Sequence, residues 1–287
     1  MRTHLRTATL VASAAALTLS LAACGTDSDP KSGGDAGSSA GDSQRITVAA
    51  SPNPHAQILD FVRDNLAEDA GLDLTVREFS DYVLPNTAVD NGEVDANFFQ
   101  HQPYLDDFNA NHSTDIVPVV NVHLEPLGLY SKSLDSLDGL TEGSTIAIPD
   151  DASNGGRALQ LLAQNDVIEL KDGVGAGAVL GDITDDGGIT FTELEAASLP
   201  RALDDFDAAI VNGNYALEVG LSPDEDAIAL EEAEGNPYAN FLAVKAGNED
   251  DPAVQTLARL LNSDEVKQFI EDTYPGSVIP AFGTPGA

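Results

Sequence analysis

Residues 45–79, RITVAASPNPHAQILDFVRDNLAEDAGLDLTVREF, indicate which class of fold this chain adopts. Residues 45–50 alternate and include β-branched side chains, which predicts a strand, and residues 54–70 carry apolar side chains at helical spacing. Gly71 ends that helix, and residues 72–79 alternate strictly, as half-buried strands do. A strand, a helix and a second strand in this order predict a βαβ unit of a parallel sheet.

The same alternation continues along the chain and falls into two series. The first goes on with a helix at 82–90 and a strand at 94–99. The second contains one helix and three strands, at 153–164 and at 145–148, 190–194 and 208–211. Because the extended residues 116–130 separate the two series, we expect an α/β fold with two lobes rather than one sheet.

The C-terminal part has no lobe of its own. Its strand at 241–244 and helices at 252–261 and 263–274 are too few to bury a separate core. We therefore expect it to return to the first lobe, so that lobe I comprises residues 45–122 and 241–287 and lobe II comprises residues 123–240. Two chain crossings then border a cleft between the lobes, a common place for a small-ligand site.

The beginning of the chain has the pattern of a secretory signal. Arg2 and Arg6 precede an apolar run at 8–21 that is too short to span a bilayer, and small residues lead to Cys24, the single cysteine. The string LAAC at 21–24 resembles the lipobox of bacterial lipoproteins, which implies diacylation of Cys24. We expect a signal peptide at 1–23, followed by the lipidated cysteine and a flexible linker at 24–44 that lacks large apolar residues.

The charge balance narrows the range of partners. The chain of 287 residues has 13 Lys and Arg against 48 Asp and Glu, a formal net charge of -35. Nucleic acids require a basic patch, so nucleic-acid binding is not expected. Anionic lipid surfaces require one too, so we expect membrane attachment only through the acyl chains at Cys24.

Motifs of several enzyme classes are absent from the sequence, which has no G-x-x-x-x-G-K-[ST], no H-E-x-x-H and no G-x-S-x-G. Metal-ligand spacing is also missing from the histidines of the mature chain, His55, His101, His112 and His123. Residues 182–193 match an EF-hand loop in part but continue as a strand, which favours an acidic surface loop. We therefore expect no metal site.

The segment FFQHQPY at 98–104 is the first candidate for a ligand site. A strand here runs into a helix opened by a proline, and ligands bind at such strand ends in α/β sheets. Alternation along the strand puts Phe98 and Phe99 on opposite faces. Phe98 is therefore expected in the core, and Phe99, His101 and Tyr104 in the wall of the cleft.

The segment PDDASNGGR at 149–157 is the second candidate. A strand ends and a helix begins here, with Ser153 or Asn154 as the expected N-cap, and the free N–H groups of a helix start favour an anion. Arg157, one turn into the helix, adds a planar fork suited to a carboxylate. The alternative for Arg157 is a surface ion pair with one of the many acidic side chains.

Together these segments resemble one family. The chain is similar to the NlpA family of methionine-binding lipoproteins from residue 46 to residue 274, in the blocks SDYVLPN (80–86), VDANFFQHQPYL (94–105), PDDASNGGR (149–157), ELEAASLPRALDD (193–205), VNGNYA (211–216) and NPYANF (236–241). The resemblance implies a two-lobed periplasmic-binding-protein fold of type II. It implies that a lipid-anchored receptor on the extracytoplasmic face of the cell membrane captures L-methionine, with no cofactor. The receptor would deliver the ligand to an ABC permease with a cytoplasmic ATPase, and we expect it to be a monomer.

The resemblance also implies the roles of individual residues. It gives the methionine side chain an aromatic cage made by Tyr82, Phe99, His101 and Tyr104. Arg157 would hold the carboxylate, and the hydrogen bonds to the amino-acid backbone groups would come from Asn154, Asn212 and Asn240. In VNGNYA the second asparagine, Asn214, is the alternative to Asn212.

Three other functions are open at this point. The nearest is a receptor for D-methionine, a methionine-containing dipeptide or another apolar amino acid. A second is an extracytoplasmic enzyme in which His101 and a carboxylate act as acid and base. A third is a surface adhesin, in which the cage and Arg157 would have no ligand.

Overall fold

The computed structural model describes residues 43–285. The predicted signal peptide, Cys24 and nearly all of the linker lie outside the described residues. In chain order the strands are β1 Gln44–Ala50, β2 Leu72–Glu78, β3 Ala96–His101, β4 Ile116–Leu124, β5 Gly128–Tyr130, β6 Thr145–Pro149, β7 Glu169–Leu170, β8 Ile183–Asp185, β9 Thr190–Leu194, β10 Ala208–Val211, β11 Ala229–Leu230, β12 Asn240–Lys245 and β13 Ile279–Gly283.

The α-helices are α1 Gln57–Val62, α2 Leu84–Asp90, α3 Gln102–His112, α4 Ala152–Gln164, α5 Leu199–Ala202, α6 Gly213–Glu218, α7 Pro223–Asp226, α8 Pro252–Leu261 and α9 Asp264–Thr273. Short π-helical segments, Pro52–Ala56 and Arg63–Ala67, flank α1. None of the helices between residues 43 and 285 is both long enough and apolar enough to cross a membrane.

Six strands form the first sheet, in the order β13-β4-β12-β3-β1-β2. β1 pairs in parallel with β2 and with β3, as the βαβ pattern predicts. β12 lies between β3 and β4 and is antiparallel to both, and β13 is antiparallel to β4. Helices α1, α2, α3, α8 and α9 pack with this sheet, and we call the whole lobe I.

Five strands form the second sheet, in the order β11-β5-β10-β6-β9. β6 is parallel to both β9 and β10, and β5 is antiparallel to both β10 and β11. Helices α4 and α5 pack with this sheet, which we call lobe II. β7 and β8 form a separate antiparallel pair.

Both sheets are mixed, which corrects the prediction of parallel sheets. The alternating strands and helices do give parallel neighbours, such as β1 with β2 and β6 with β9. β12 and β13, however, enter lobe I only after the chain has passed through lobe II. A local pattern identifies a strand but does not specify the direction in which a distant strand will pair with it.

The chain passes between the two sheets twice. It leaves β4 at Leu124 and enters β5 at Gly128, so residues 116–130 are two strands of different sheets joined by three residues. It returns between the end of β11 at Leu230 and the start of β12 at Asn240. Residues in these crossings can therefore contact side chains of both lobes.

Each sheet carries apolar clusters that fix the position of the cleft wall. Phe98 lies in one cluster of lobe I and Phe99 in another, as expected for opposite faces of β3. In lobe II, Ile146 and Ala147 divide between two clusters in the same way. Tyr82 packs against one cluster from each lobe, so its side chain lies where the lobes meet.

Candidate functional site

A cavity between the lobes brings all eight predicted residues together. It is lined by Tyr82, Phe99, His101, Tyr104, Asn154, Arg157, Asn212 and Asn240, and also by Gln100, Glu125, Gly213 and Asn214. Its atom-free space is about 340 Å³ with the solvent at its mouth included.

Aromatic rings from lobe I form one wall of the cavity. The Tyr82 ring centroid lies 5.9 Å from that of Phe99 and 5.7 Å from that of Tyr104. The Tyr104 hydroxyl donates to the backbone oxygen of Tyr82 at 3.1 Å, which ties the loop before α2 to α3. Burial raises the pKa of both phenols, so they are neutral hydrogen-bonding groups at physiological pH.

His101 joins this aromatic wall to the opposite lobe. It is the last residue of β3 and the N-cap of α3, where its Nδ1 accepts the Tyr104 N–H at 3.3 Å. The Nε2 atom therefore carries the proton and donates to Asn154 Oδ1 at 3.2 Å. Burial, and then the nearby Arg157, lower the pKa of His101 to about 3, so the ring is neutral.

Asn154 is oriented by the start of α4. The N-cap is Asp151, not Ser153 or Asn154 as the sequence predicts, and its carboxylate accepts the Asn154 backbone N–H at 2.8 Å. The same carboxylate accepts the Asn154 side-chain Nδ2 at 3.0 Å, so Oδ1 faces the other way. Asp151, two residues before Ser153, forms the cap because a carboxylate is at least as good an acceptor there. Its carboxylate occupies the helix start at which the sequence predicts an anion.

Arg157 is buried and its fork is already engaged. Only 3% of it is exposed, and its Nε donates to Glu231 Oε1 at 2.9 Å while Nη2 also binds the Glu231 carboxylate. Nη2 further donates to the backbone oxygen of Glu125 at 3.0 Å, and the guanidinium lies over the Tyr238 ring at 4.1 Å. Arg157 thus contacts both chain crossings, and the surface ion pair considered for it is instead a buried one.

Asn212, which follows β10, and Asn214, in the first turn of α6, each have one polar atom without a partner in residues 43–285. Asn212 Nδ2 donates to Asn154 Oδ1 at 2.9 Å, and its own Oδ1 is buried and has no partner among the described residues. Asn214 Oδ1 accepts the Tyr82 hydroxyl at 2.5 Å, and its Nδ2 is likewise buried and without a partner in residues 43–285. One unused acceptor and one unused donor therefore belong to the wall of lobe II.

Glu125, whose carboxylate lies beside His55 and His123, also lines the cavity, and the sequence analysis missed it. Glu125 Oε1 accepts from His123 Nε2 at 2.7 Å and lies 3.3 Å from His55 Nε2. His55 Nε2 also lies 3.0 Å from Asn240 Oδ1, which links the eighth predicted residue to this cluster. One ring nitrogen of His55, one of His123 and one carboxylate oxygen of Glu125 lie within 4.8 Å of one another. The sequence does not predict this cluster, because His55 is distant from the other two residues in the chain.

Glu231 is the second residue that the sequence analysis missed. It follows β11 on the returning crossing and pairs with Arg157 from 74 positions away. The one signal available for Glu125 was a charged residue inside the apolar, extended stretch 116–130. Glu231 had no such signal, because it stands among several acidic neighbours.

Comparison with known proteins identifies the family of this chain. The model of the NlpA lipoprotein family matches residues 46–282. The membrane lipoprotein TpN32 of Treponema pallidum is 39% identical over 83% of this chain and 89% of its own length. The D-methionine-binding lipoprotein MetQ of Escherichia coli strain K12 is 36% identical over the same shares of the two chains.

A solved structure gives the same fold. The nutrient-binding protein from Burkholderia cenocepacia bound to methionine superimposes with a TM-score of 0.80 and 43% sequence identity, over 83% of this chain and all of that one. The two-sheet architecture described above is thus the two-lobed periplasmic-binding fold. From residue 46 to residue 282, this chain belongs to the NlpA lipoprotein family.

Proposed function

We propose that this protein is a lipid-anchored, extracytoplasmic receptor that binds L-methionine between its lobes and delivers it to an ABC importer. The observation that carries this proposal is the contrast between the two walls of one cavity. Aromatic rings face it from lobe I, and a polar wall with one unused acceptor and one unused donor faces it from lobe II. An apolar amino acid has these two ends.

The aromatic wall suits the methionine side chain. A thioether is polarisable and packs favourably against aromatic rings, with a gain of about 0.3–1.5 kcal/mol per contact. Tyr82, Phe99 and Tyr104 are close enough together to surround a sulfur atom on several sides. The neutral His101 completes the cage without adding a charge.

The polar wall suits an amino-acid head group. Glu231 and the Glu125 backbone accept the hydrogen bonds of Arg157 Nε and Nη2. The third nitrogen, Nη1, donates no hydrogen bond among the described residues. Nη1 and Asn214 Nδ2 are therefore the donors for the ligand's carboxylate. Asn212 Oδ1 is the acceptor for its ammonium group.

Binding of this kind favours the closed arrangement of the lobes. A ligand that contacts both walls stabilises the state in which they face each other, and only such a differential contact can shift the equilibrium. The bonds from Tyr82 to Asn214 and from His101 to Asn154 already run from lobe I to lobe II. A permease can then distinguish the loaded receptor by its shape.

A non-catalytic role fits His101 better than acid-base chemistry. Both of its ring nitrogens are engaged, one by the Tyr104 N–H and the other by Asn154, and its pKa is far below the physiological range. A general base needs a pKa near the working pH. We further propose that the lipid at Cys24 anchors the receptor, which works as a monomer without a cofactor.

Calorimetric titration tests the proposal. The domain from residue 44 onward is unfolded and refolded to remove any carried-over ligand, and is titrated with L-methionine, D-methionine, glycyl-methionine and leucine. We expect saturable one-to-one binding that is tightest for L-methionine. Tighter binding of D-methionine or of the dipeptide would change the ligand, and no binding of any of them would contradict the receptor role.

A further inference from the structure

The wall of the cavity holds a carboxylate whose charge no protein side chain neutralises by direct contact in the described part of the chain. Glu125 is 6% exposed, and its side-chain partners are His55 and His123. Burial raises the pKa of its carboxyl group, while the backbone N–H of Asn214 and the nearby charge of Arg157 favour the ionised form. The guanidinium of Arg157 reaches the backbone oxygen of Glu125, and its fork is paired with the carboxylate of Glu231. Arg157 therefore does not form an ion pair with Glu125.

The two histidines orient this carboxylate without neutralising it. Burial lowers the pKa of His55 to about 4 and that of His123 to about 3, so both rings are uncharged at neutral pH. The Nε2 atom of His123 donates to Oε1 at 2.7 Å, and the Nε2 atom of His55 lies 3.3 Å from the same oxygen. Burying an ionised carboxylate among neutral donors alone costs desolvation free energy, and a cation that enters the site would offset that penalty.

The other oxygen, Oε2, lies near Gly213 at the start of α6 in lobe II. A Cβ atom placed on Gly213 would lie 3.1 Å from Glu125 Oε2 and 2.8 Å from its Cβ, so only glycine allows this close approach. The neighbour of Gly213 is Asn212, whose Oδ1 is the buried acceptor without a partner. A carboxylate and an amide oxygen thus border one part of the cavity, where a compact group with several N–H donors would satisfy both.

We propose that Glu125 is the residue that recognises the ligand's ammonium group, and that the protein therefore selects compounds with a free α-ammonium over deaminated or N-acylated ones. This rests on the proposed function and adds the counter-charge that Asn154, Asn212 and Asn240 do not supply. His55 and His123 act as positioning residues for the Glu125 carboxylate.

The test compares L-methionine with its deaminated analogue, 4-(methylthio)butanoate, on the wild type and on Glu125→Gln. The wild type should prefer L-methionine by about 30-fold or more, as expected for a buried charge pair. Glu125→Gln keeps the size of the side chain, so it should reduce that preference by about 10-fold or more while changing the affinity for the analogue by less than about 3-fold.

Glu231→Gln is the matched control, because the same chemical change there acts on Arg157 and thus on the carboxylate that both ligands share. It should shift both affinities alike. Equal losses for both ligands in Glu125→Gln, or an unchanged preference, would overturn the role of Glu125 while leaving methionine binding intact. If Glu125→Gln does not fold, a wild-type preference below about 3-fold overturns it. Failure of the wild type to bind L-methionine would instead overturn the proposed function itself.

Discussion

The two walls of the cavity solve opposite problems. The wall of lobe I consists of rings held by apolar packing, and its polar atoms satisfy one another or bond across the cleft. The wall of lobe II is a hydrogen-bonded chain from Asp151 through Asn154 to Asn212, and it ends in Asn212 Oδ1, which has no partner within residues 43–285. The first wall can distinguish side chains by shape, and the second can distinguish head groups by charge and hydrogen bonding.

This division follows from where each wall lies in the fold. The rings come from the end of β3, the start of α3 and the loop before α2, where a buried strand opens into solvent-facing helices. The polar wall comes from the starts of α4 and α6, where backbone N–H groups need side-chain partners. A ligand with only one of the two ends would leave one wall unsatisfied.

The largest expected effect is that of Arg157→Ala, which removes the cation from the polar wall. We expect a loss of at least about 2 kcal/mol of affinity for L-methionine, since the ligand carboxylate would lie unpaired in a desolvated site. Thermal unfolding should also shift downward, because Glu231 loses its buried partner. Titration calorimetry and a melting curve measure the two effects.

Two controls make the Arg157 result specific. Arg201→Ala removes an exposed arginine of the same lobe and should leave affinity unchanged. Arg157→Lys keeps the charge but loses the planar fork that binds Glu231, so it should recover only part of the loss. Unchanged affinity in Arg157→Ala would remove this residue from the ligand site.

Acidification should lower the stability of the folded protein, because three histidines are buried in their neutral form. His55, His101 and His123 have folded-state pKa values of about 4, 3 and 3 against an ordinary value of 6.5, so the unfolded chain binds more protons below pH 6.5. The free energy of unfolding should therefore fall as the pH drops from 6.5 toward 4, by about 1.4 kcal/mol per pH unit for each histidine. Glu125, whose pKa is raised by burial, opposes part of this slope.

Denaturant unfolding at a series of pH values measures that slope. His101→Gln should reduce it by about one proton, because the ring of His101 is then no longer protonated on unfolding. His112→Gln, at an exposed site at the end of α3, is the matched control. A stability that stays constant between pH 6.5 and 4.5 would show that the cleft does not keep these histidines neutral.

Removing one ring from the aromatic wall should have a smaller and more selective effect. Phe99→Leu keeps an apolar side chain but removes a sulfur–ring contact, so affinity for L-methionine should fall by about 1 kcal/mol and the preference over leucine should narrow. Phe108→Leu is the matched control, since Phe108 lies in the same apolar cluster but does not line the cavity. Equal losses of affinity in the two variants would mean that packing, rather than the ring itself, determines the preference.

The last expected effect, similar in size to that of Phe99→Leu, concerns one of the bonds that join the walls. Tyr82→Phe removes the hydroxyl that donates to Asn214 Oδ1, and should cost about 0.5–1.5 kcal/mol of affinity through the closed state. Small-angle scattering should also show a larger radius for the ligand-free domain. Tyr274→Phe, whose hydroxyl bonds Gln57 within lobe I, should change neither quantity. Equal changes of affinity and radius in the two variants would show that the bond from Tyr82 to Asn214 does not favour closure.

Part of this site could be read from the sequence because it follows local rules. β9 and β10 have the predicted bounds, and Phe99, His101 and Asn154 meet because each lies where a strand gives way to a helix. Strand ends and helix starts are visible in a local pattern. Their polar partners are not local: Arg157 pairs with one of 48 acidic residues, and no pattern indicates that it is Glu231.

Glu125 was missed for the same reason, because its contacts are largely non-local. Glu125 matters because the crossing between the lobes brings it, together with His123 two residues before it, against His55 and Gly213, which are distant from it in sequence. Asp151 was missed as the cap for a different reason, because Asp151, Ser153 and Asn154 lie close together and could each cap α4. Local chemistry could not choose among them, and the geometry at the end of β6 does.

The most direct test of the division between the walls is a crystal structure of the refolded domain with L-methionine. We expect the thioether among the rings of Tyr82, Phe99 and Tyr104, and the carboxylate on Arg157 Nη1 and Asn214 Nδ2. A methionine bound in the reverse orientation, or outside the cavity, would contradict the assignment of side chain to lobe I and head group to lobe II.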